Sequence, residues 1–179
     1  MMKIAILRGS PCRNGSSNLL ADNFIKGAGE NGHEIIDIDV AHADIHPCTG
    51  CKACGFNGKP CPLDDAMAEI KEQILMADML VFVTPLYYFG MSAQLKMCLD
   101  RCCSINRQIT EKHMKSVLLA SAWNEDDWTM TALEIHYETL CKYLNFEDKG
   151  VVLGLGCGTV EKTRESHFPQ MAYQLAKAL

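Results

Sequence analysis

The sequence predicts a three-layer α/β fold, in which helices cover both faces of a five-stranded parallel sheet with the strand order 2-1-3-4-5. Short apolar runs alternate with segments of helical periodicity along the whole chain. The run at 79–83 is continuously apolar, which is typical of a central parallel strand buried on both faces. Because crossovers between parallel strands are right-handed, few windings are possible, and ligands are expected beyond the carboxyl ends of strands one and three.

Two strands and a helix are predicted in the first part of the chain. The apolar run at 4–7 predicts the first strand, and the Gly, Ser and Pro after it predict a tight turn. Apolar residues at helical spacing from Leu19 predict a helix that ends at Gly29 and Gly32. Alternating Ile and Asp at 34–40 predict a second strand with one polar face, near an edge of the sheet.

The middle of the chain contains the predicted central strand between two helices. Asp64 and Asp65 are expected to cap the helix that precedes the strand at 79–83. Ser92 is expected to begin the helix that follows it. The adjacent residues 100–101, an aspartate and an arginine in that second helix, are interpreted as a structural pair.

Two further strands and two helices are predicted toward the C-terminus. The fourth strand covers 116–121 and is followed by a polar loop and a helix over 128–144. The fifth strand covers 150–155 and ends in a glycine-rich turn, which lacks the spacing of a dinucleotide-binding loop. A last helix is expected from residue 165 or 169 onward.

Composition limits the classes of function. At 179 residues and 48% hydrophobic, the chain is expected to form one domain over 1–179. The net charge of -5, without a cluster of basic residues, argues against nucleic acid as a partner. Apolar runs are too short for a signal peptide or a membrane span, so we expect a cytoplasmic protein without a membrane partner. The ten cysteines are therefore expected to be reduced thiols or metal ligands.

A phosphate-binding turn is predicted between the first strand and the first helix. Backbone N–H groups at a helix start lack intrahelical partners and carry partial positive charge, so they suit a phosphate. The hydroxyls of Ser10, Ser16 and Ser17 and the amide of Asn18 could complete this cradle. The turn lacks the lysine of a P-loop, which favours a phosphate monoester over a triphosphate. The alternative is an ordinary turn with a serine cap.

The same turn carries a family resemblance. It reads G-S-P-C-R-N-G-S-S and resembles the phosphate loop of the flavodoxin-like FMN reductases, whose usual form is G-S-P-R-x-x-G-N-T. The resemblance implies a flavodoxin-like fold and FMN as cofactor, and it adds Asn14 to the candidate cofactor residues. Cys12 replaces the usual arginine, and Arg13 beside it could serve instead. Arg8 stands where the family usually has a small residue.

A second match lies after the central strand. Residues 84–90 read T-P-L-Y-Y-F-G, are followed by S-A-Q-L-K and D-R, and are similar to the family's T-P-x-Y-x-x-x-x-S-A-x-L-K-x-x-x-D-R signature. The resemblance implies that this loop contacts the flavin, to which aromatic side chains would offer a matching surface. The alternative, that these aromatics belong to the core, fits poorly with a polar turn. The candidate residues are Pro85, Leu86, Tyr87, Tyr88, Phe89 and Gly90.

A third loop, at 122–127, leaves the fourth strand at the same edge of the sheet. Its Trp123 is a candidate to bound the flavin or a second substrate. The alternative, which we favour, is that Trp123 and Trp128 pack over the sheet or at a subunit interface, while the acidic residues cap the next helix.

Four cysteines crowd one loop in the pattern C-x2-C-x2-C-x6-C. Three thiolates at this spacing can wrap one face of an iron–sulfur cubane while a fourth closes it. A zinc site more often uses two separated C-x-x-C pairs. The run resembles that of the iron–sulfur flavoproteins, which implies a 4Fe-4S cluster near FMN, although related reductases with similar cysteines and no demonstrated cluster leave a metal-free loop open. The candidate ligands are Cys48, Cys51, Cys54 and Cys61.

The resemblance covers nearly the whole chain and implies an FMN-dependent oxidoreductase. FMN would take a hydride from NAD(P)H, or single electrons from a protein donor, and pass them to a quinone, another flavin or the cluster. No side-chain acid or base is expected to be catalytic, because the flavin carries the chemistry. An electron carrier with FMN and a 4Fe-4S cluster is the alternative, and a cofactor-free interaction module is a third possibility. Assembly of the relatives implies a homodimer or homotetramer.

Overall fold

A computed structural model describes residues 1–54 and 59–179 of the chain. It contains one parallel five-stranded sheet in the order β2-β1-β3-β4-β5, which confirms the predicted topology. The strands are β1 Lys3–Arg8, β2 Glu34–Ile38, β3 Met79–Pro85, β4 Lys115–Ser121 and β5 Glu147–Gly154.

Helices cover both faces of this sheet. The helices among the described residues include α1 Ser16–Glu30, α2 Met67–Met76, α3 Ala93–Arg101, α4 Asn106–Lys112, α5 Thr131–Leu144, α6 Val160–Glu165 and α7 Phe168–Lys177. A 3-10 turn, Cys102–Ile105, joins α3 to α4.

One layer consists of α1 and α7, which pack closely against each other. Phe24 of α1 and Ala172 and Ala176 of α7 are fully buried against the sheet. A Cβ at Gly27 would lie 2.5 Å from the carbonyl oxygen of Tyr173, so only glycine permits this approach. The opposite layer, made of α2 to α5, encloses the larger apolar core.

The central position of β3 accounts for its continuous apolar sequence. Met79 pairs with Ile4 on one side and Lys115 on the other, and all of β3 before Pro85 is buried. In β3 as in β1, successive side chains alternate between the two cores: Met79 and Ile4 lie in one, and Leu80 and Ala5 lie in the other. Parallel strands covered on both faces have no polar face, as the sequence indicated.

The predicted cap at Ser92 is present, whereas the N-cap residue of α2 is Ala66, and Asp65 just before it still bonds the helix start. The Ser92 hydroxyl accepts a hydrogen bond from the backbone N–H of Leu95 at 3.2 Å at the start of α3. Asp65 Oδ1 accepts one from the N–H of Met67 at 3.1 Å at the start of α2. Both carboxylate and hydroxyl oxygens satisfy N–H groups that the helix leaves without partners.

Three elements differ from the prediction. β5 begins at Glu147, because a register irregularity opposite 116–118 and a positive φ at Gly150 let the strand start before the apolar run. α4 was not predicted, since Ile109 is its only buried residue and gives no periodicity. The last helical region is two helices, interrupted at Ser166, whose hydroxyl accepts a hydrogen bond from the N–H of Phe168 at 3.3 Å. Among the described residues, none of the helices is both long and apolar enough to cross a membrane.

Candidate functional site

A cavity of about 350 Å³, here called the main cavity, lies where the carboxyl ends of β1, β3, β4 and β5 meet. This is the edge at which open parallel sheets bind ligands, and the volume is in the usual range for small-molecule sites. Its lining is Ser10, Cys12, Asn14, Gly15, Ser16, Ser17, Pro85, Leu86, Tyr87, Ser121, Ala122, Trp123, Cys157, Gly158, Thr159 and Val160.

The N-terminus of α1 points its unsatisfied groups at this cavity. Gly15 is the N-cap residue and supplies no side-chain hydrogen bond, so the first N–H groups of α1 have no cap. Ser17 is 1% exposed, and its hydroxyl has no hydrogen-bond partner in the part of the chain that the structure describes. A buried hydroxyl without a partner is costly, which makes Ser17 a candidate contact for an absent acceptor.

Internal hydrogen bonds hold the turn between β1 and α1 in shape. Ser10 Oγ accepts from the N–H of Cys12 at 3.2 Å, and Asn18 Nδ2 donates to the carbonyl oxygens of Cys12 and Arg13 at 3.0 and 3.1 Å. Gly9 packs closely against α3, because an added Cβ would lie 2.6 Å from Leu95 Cβ. The cradle is therefore formed before any ligand binds.

Arg13 and Asn18 border a neighbouring charged cavity, on the β2 side of the turn. Arg13 Nη1 contacts Asp39 Oδ2 at 2.5 Å. Arg8, whose position departs from the family pattern, donates to Asp37 Oδ1 at 2.7 Å and to Asp22 Oδ1 at 2.7 Å. Arg8 thus ties β1 to β2 and α1, whereas Asn18 stabilises the turn.

The aromatic loop after β3 is a tight two-residue turn. Tyr87 and Gly90 exchange both backbone hydrogen bonds, N–H to carbonyl, at 3.0 and 3.1 Å. The two residues between them, Tyr88 and Phe89, have φ angles of 47° and 63°. Positive φ at both central positions is the pattern of a type I′ turn, which normally selects Asn and Gly. Two aromatic residues in this conformation are strained, and such strain concentrates at functional sites.

This turn places aromatic side chains in solvent beside the cavity. Tyr88 is fully exposed, and Phe89 packs on Trp128 with ring centroids 5.4 Å apart. Tyr88, Phe89 and Trp123 line a second cavity of about 240 Å³ on the other side of the loop. Of the predicted aromatic residues, Tyr87 and Trp123 therefore face the main cavity, and Trp123 borders both.

The glycine-rich turn after β5 completes the main cavity, although the sequence did not single it out as part of a site. A Cβ at Gly158 would lie 2.4 Å from the Trp123 ring, so glycine lets the indole lie against the backbone here. Cys157 and Thr159 line the cavity on either side of Gly158. The only available signal was the position of this turn at the carboxyl end of a parallel strand.

The four candidate cysteine ligands line one smaller cavity of about 130 Å³. The cysteine loop contains residues 55–58, which lie outside the described residues. Cys103, in the 3-10 turn after α3, contributes a fifth thiol to the same wall, and Arg101 lies beside it. All these cysteines are free thiols.

A buried ion pair anchors both ends of the cysteine loop to α3. Arg101 Nη1 donates to Asp65 Oδ2 at 2.5 Å and to the carbonyl oxygen of His46 at 2.7 Å. Asp65 and Arg101 side chains are 0% and 1% exposed. Burial alone would raise the pKa of Asp65, but hydrogen bonds from Arg101, His46 and Met67 lower it to about 2. Residues 100 and 101 were interpreted as structural, and each forms an ion pair with a different partner: Asp100 binds Lys96 at 2.6 Å, and Arg101 binds Asp65.

Comparison with known proteins identifies the family to which this chain belongs. The family model described as NADPH-dependent FMN reductase matches residues 2–138. The chain belongs to the NADPH-dependent FMN reductase family. This membership confirms the resemblance seen in the phosphate turn and the aromatic loop, and it makes the protein an FMN-dependent oxidoreductase that uses NAD(P)H.

Individual relatives agree with the family. An iron–sulfur flavoprotein from Methanocaldococcus jannaschii is 34% identical over 137 residues, which cover 75% of this chain and 70% of that protein. A Bacillus subtilis protein named as an NAD(P)H-dependent FMN-containing oxidoreductase is 27% identical, with 87% and 86% of the two chains covered. The chain spans 50% of the length of an Archaeoglobus fulgidus iron–sulfur flavoprotein that is 30% identical.

A solved structure confirms the flavodoxin-like fold. The NAD(P)H:quinone oxidoreductase from Methanothermobacter marburgensis superposes with a TM-score of 0.77 at 20% sequence identity, and the match covers 98% of this chain and 94% of that one. At this identity, the likeness concerns the fold alone.

The main cavity of this FMN reductase family member fits the cofactor at its phosphate end. An uncapped helix start and the partnerless hydroxyl of Ser17 match the acceptor oxygens of a phosphate monoester. Of the predicted cofactor residues, the wall holds Ser10, Asn14, Ser16, Ser17, Pro85, Leu86, Tyr87 and Trp123, while Gly90 closes the aromatic turn.

The cysteine cavity, lined by the four candidate ligands and Cys103, suits a cluster better than a single metal ion. Within 1–54 and 59–179, no three His, Cys, Asp or Glu side chains are arranged to hold a single metal ion. A four-iron cluster is held from its outside by thiolates, which need not converge on one point. Thiols around one cavity, with a buried guanidinium whose Nε has no hydrogen-bond partner, fit such an anionic group by their chemistry.

Proposed function

We propose that this protein oxidises NAD(P)H through FMN bound in the main cavity and carries a 4Fe-4S cluster on Cys48, Cys51, Cys54 and Cys61. The observation that carries the FMN site is the buried, partnerless Ser17 hydroxyl at the uncapped start of α1. Bound FMN would supply hydride exchange with the nicotinamide and single-electron exchange with a cluster or an acceptor.

The protein's own groups bind and orient the cofactor. The first N–H groups of α1 and the hydroxyls of Ser16 and Ser17 would hold the phosphate, and the hydrogen bonds of Asn18 keep the turn in shape. Tyr87 and Trp123 border the open side of the cavity, and they are 48% and 72% exposed. That exposure leaves room for a nicotinamide or a flat acceptor beside the cofactor.

The cluster proposal is supported by the donor set and by charge. The four loop thiols line one cavity, and relatives at 30% to 35% identity are named iron–sulfur flavoproteins. Arg101 contributes a buried positive charge at the cavity wall, which would offset the negative charge of a thiolate-ligated cluster. The same observation favours a second candidate function, an electron carrier that accepts single electrons from a redox protein.

Anaerobic purification followed by cofactor analysis tests the proposal. We expect FMN, identified by chromatography, and iron and acid-labile sulfide near four per chain, as roughly expected for one 4Fe-4S cluster. Cys51→Ser should lose the iron and keep FMN. Recovery of FAD, or a colourless protein that FMN does not titrate, would contradict the flavin site. Background iron would leave a metal-free reductase, and stoichiometric zinc would make the loop structural.

Stopped-flow absorbance under anaerobic conditions separates the two candidate functions. Bleaching of the flavin by NADH or NADPH supports the reductase. If only a reduced ferredoxin bleaches it, the electron-carrier function replaces the reductase.

We further propose that the protein assembles as a homodimer or homotetramer in the cytoplasm. Exposed aromatic side chains at Tyr88, Trp128 and Tyr143 support an interface between copies. Light scattering coupled to size-exclusion chromatography gives the assembly, and a monomeric mass at micromolar concentration would contradict it.

A further inference from the structure

The cysteine cavity holds more thiols than one cubane uses. A 4Fe-4S cluster is held by four cysteine thiolates, whereas five cysteines line this cavity. The fifth, Cys103, lies outside the compact cysteine run and reaches the cavity from the other side, on the 3-10 turn that follows α3. Its position is set by the packing of α3 and not by the loop.

Contacts place Cys103 next to two members of the run. Cys54 and then Cys48 are the loop thiols that act most strongly on the Cys103 thiol, and all three line the same cavity. Arg101, two residues earlier, lies on the same cavity wall as Cys61. The turn at the end of α3 therefore shares one cavity with the loop thiols, and among them Cys54 is the strongest electrostatic neighbour of Cys103.

We propose that Cys103 is a fifth ligand-competent thiol, which exchanges with Cys54 for the same iron of the cluster. The inference rests on the cluster proposed above. In the exchange, the bond from iron to the Cys54 sulfur breaks and a bond to the Cys103 sulfur forms. The proton of the Cys103 thiol passes to the released Cys54 thiolate, so the cluster keeps its charge and no electron is transferred.

The neighbouring Cys102 provides the matched control. Cys102 is buried, and its thiol donates to the carbonyl oxygen of Cys98 at 3.3 Å, away from the cysteine cavity. Cys102 is adjacent to Cys103 in the chain, but its side chain has different contacts. A variant at Cys102 therefore reports what loss of a thiol from this turn does without loss of a cavity thiol.

The test compares iron and sulfide content, with bound FMN as the measure of folding, in anaerobically purified wild type, Cys54→Ser, Cys103→Ser, Cys102→Ala and Cys54→Ser/Cys103→Ser. We expect each single variant to keep at least about half of the wild-type iron and the double variant to keep less than about a tenth. The electron paramagnetic resonance spectrum of the reduced cluster should show two forms in wild type, and a different single form in Cys54→Ser and in Cys103→Ser.

Several results would overturn the inference. Cys54→Ser with FMN bound and iron as low as in the double variant would make Cys54 an obligatory ligand. Full iron in the double variant would show that neither thiol is a ligand. Both results leave the cluster itself standing in wild type, whereas wild type with background iron or with zinc would overturn the cluster proposal and this inference together.

Discussion

The buried hydroxyl of Ser17 lacks a hydrogen-bond partner among the described residues, and a bound ligand would supply one. Ser17 is 1% exposed and lies at the first turn of α1. A hydroxyl in this state costs free energy in the cofactor-free protein and gains a charge-assisted hydrogen bond when a phosphate binds. Binding and stability should therefore respond to its removal in opposite directions.

Ser17→Ala is expected to weaken FMN binding by about 10- to 100-fold, since a hydrogen bond to a charged group contributes roughly 1.5–3 kcal/mol. The free energy of unfolding of the FMN-free protein should stay within about 0.5 kcal/mol of wild type or rise. Fluorescence titration and urea unfolding give the two quantities. Ser166→Ala, at a hydroxyl that already donates to the carbonyl oxygen of Thr163, is the control and should leave FMN affinity unchanged.

A salt bridge between Asp65 and Arg101 joins the cysteine loop to the core, and the side chains of both partners are buried. Because the pKa of Asp65 is lowered to about 2 in the folded protein, its ionisation stabilises the fold at pH values above its unfolded pKa, near 4. This contribution is lost as pH falls from about 4 through about 2. The sign follows from the depressed pKa, since the unfolded state binds the proton more tightly.

Asp65→Asn should lower the free energy of unfolding by about 3–5 kcal/mol at pH 7, because it leaves the Arg101 charge buried without its partner. The difference from wild type should shrink between pH 4 and pH 2. Denaturant unfolding over this pH range measures both effects. Asp100→Asn, in the exposed pair with Lys96, should cost about 1 kcal/mol or less; equal losses in the two variants would contradict the role of burial.

At the scale of elements, the turn after β3 combines strain with exposure. Backbone hydrogen bonds between Tyr87 and Gly90 close it around two aromatic residues with positive φ. In a turn of this kind, Asn and Gly would be less strained. Aromatic residues at these two positions lower the stability of the fold, and this cost fits a role beside the cofactor.

Tyr88→Asn should raise the free energy of unfolding by about 1 kcal/mol, because asparagine tolerates the left-handed region and the exposed ring is lost without a cavity. Thermal and urea unfolding measure the change. Tyr143→Asn, at an exposed tyrosine in α5 with ordinary helical backbone, serves as the control and should not stabilise the protein. A loss of stability in the Tyr88 variant would show that the ring makes contacts that outweigh the strain.

At the scale of the whole molecule, the main cavity exists only when the sheet is assembled. Its wall draws on residues after β1, β3, β4 and β5, which are distant in sequence. A ligand that binds this cavity binds the folded state alone, so it must stabilise the protein by mass action. The phosphate end of the cavity should decide which flavins do so.

FMN at 100 times its dissociation constant is expected to add about 2.7 kcal/mol to the free energy of unfolding, which raises Tm by roughly 5–10 °C for a chain of this size. Riboflavin, which lacks the phosphate, and FAD, for which no second dinucleotide motif is present in the sequence, should each raise Tm much less at the same concentration. Differential scanning calorimetry makes the comparison. Equal shifts of Tm for FMN and riboflavin would show that contacts to the phosphate contribute nothing to the binding free energy.

The sequence by itself determined the strand order, the central position of β3, the cap at Ser92, the position of Asp65 at the start of α2 and the turn between β1 and α1. These features depend on hydrophobic periodicity, on residues within one helical turn of each other and on the handedness of crossovers, all of which are local properties of the chain. They could be read without knowing which distant residues meet.

Only the tertiary structure decided which residues pair across the sheet and the loops. Arg101 binds Asp65, 36 residues away, instead of its neighbour Asp100, and Arg13 turns toward Asp39, 26 residues away. Gly158 and Cys103 reach the two cavities through packing of β5 and α3. Such contacts depend on how whole elements are positioned, because a charge or thiol interacts with whichever group the fold brings near, whatever its distance along the chain.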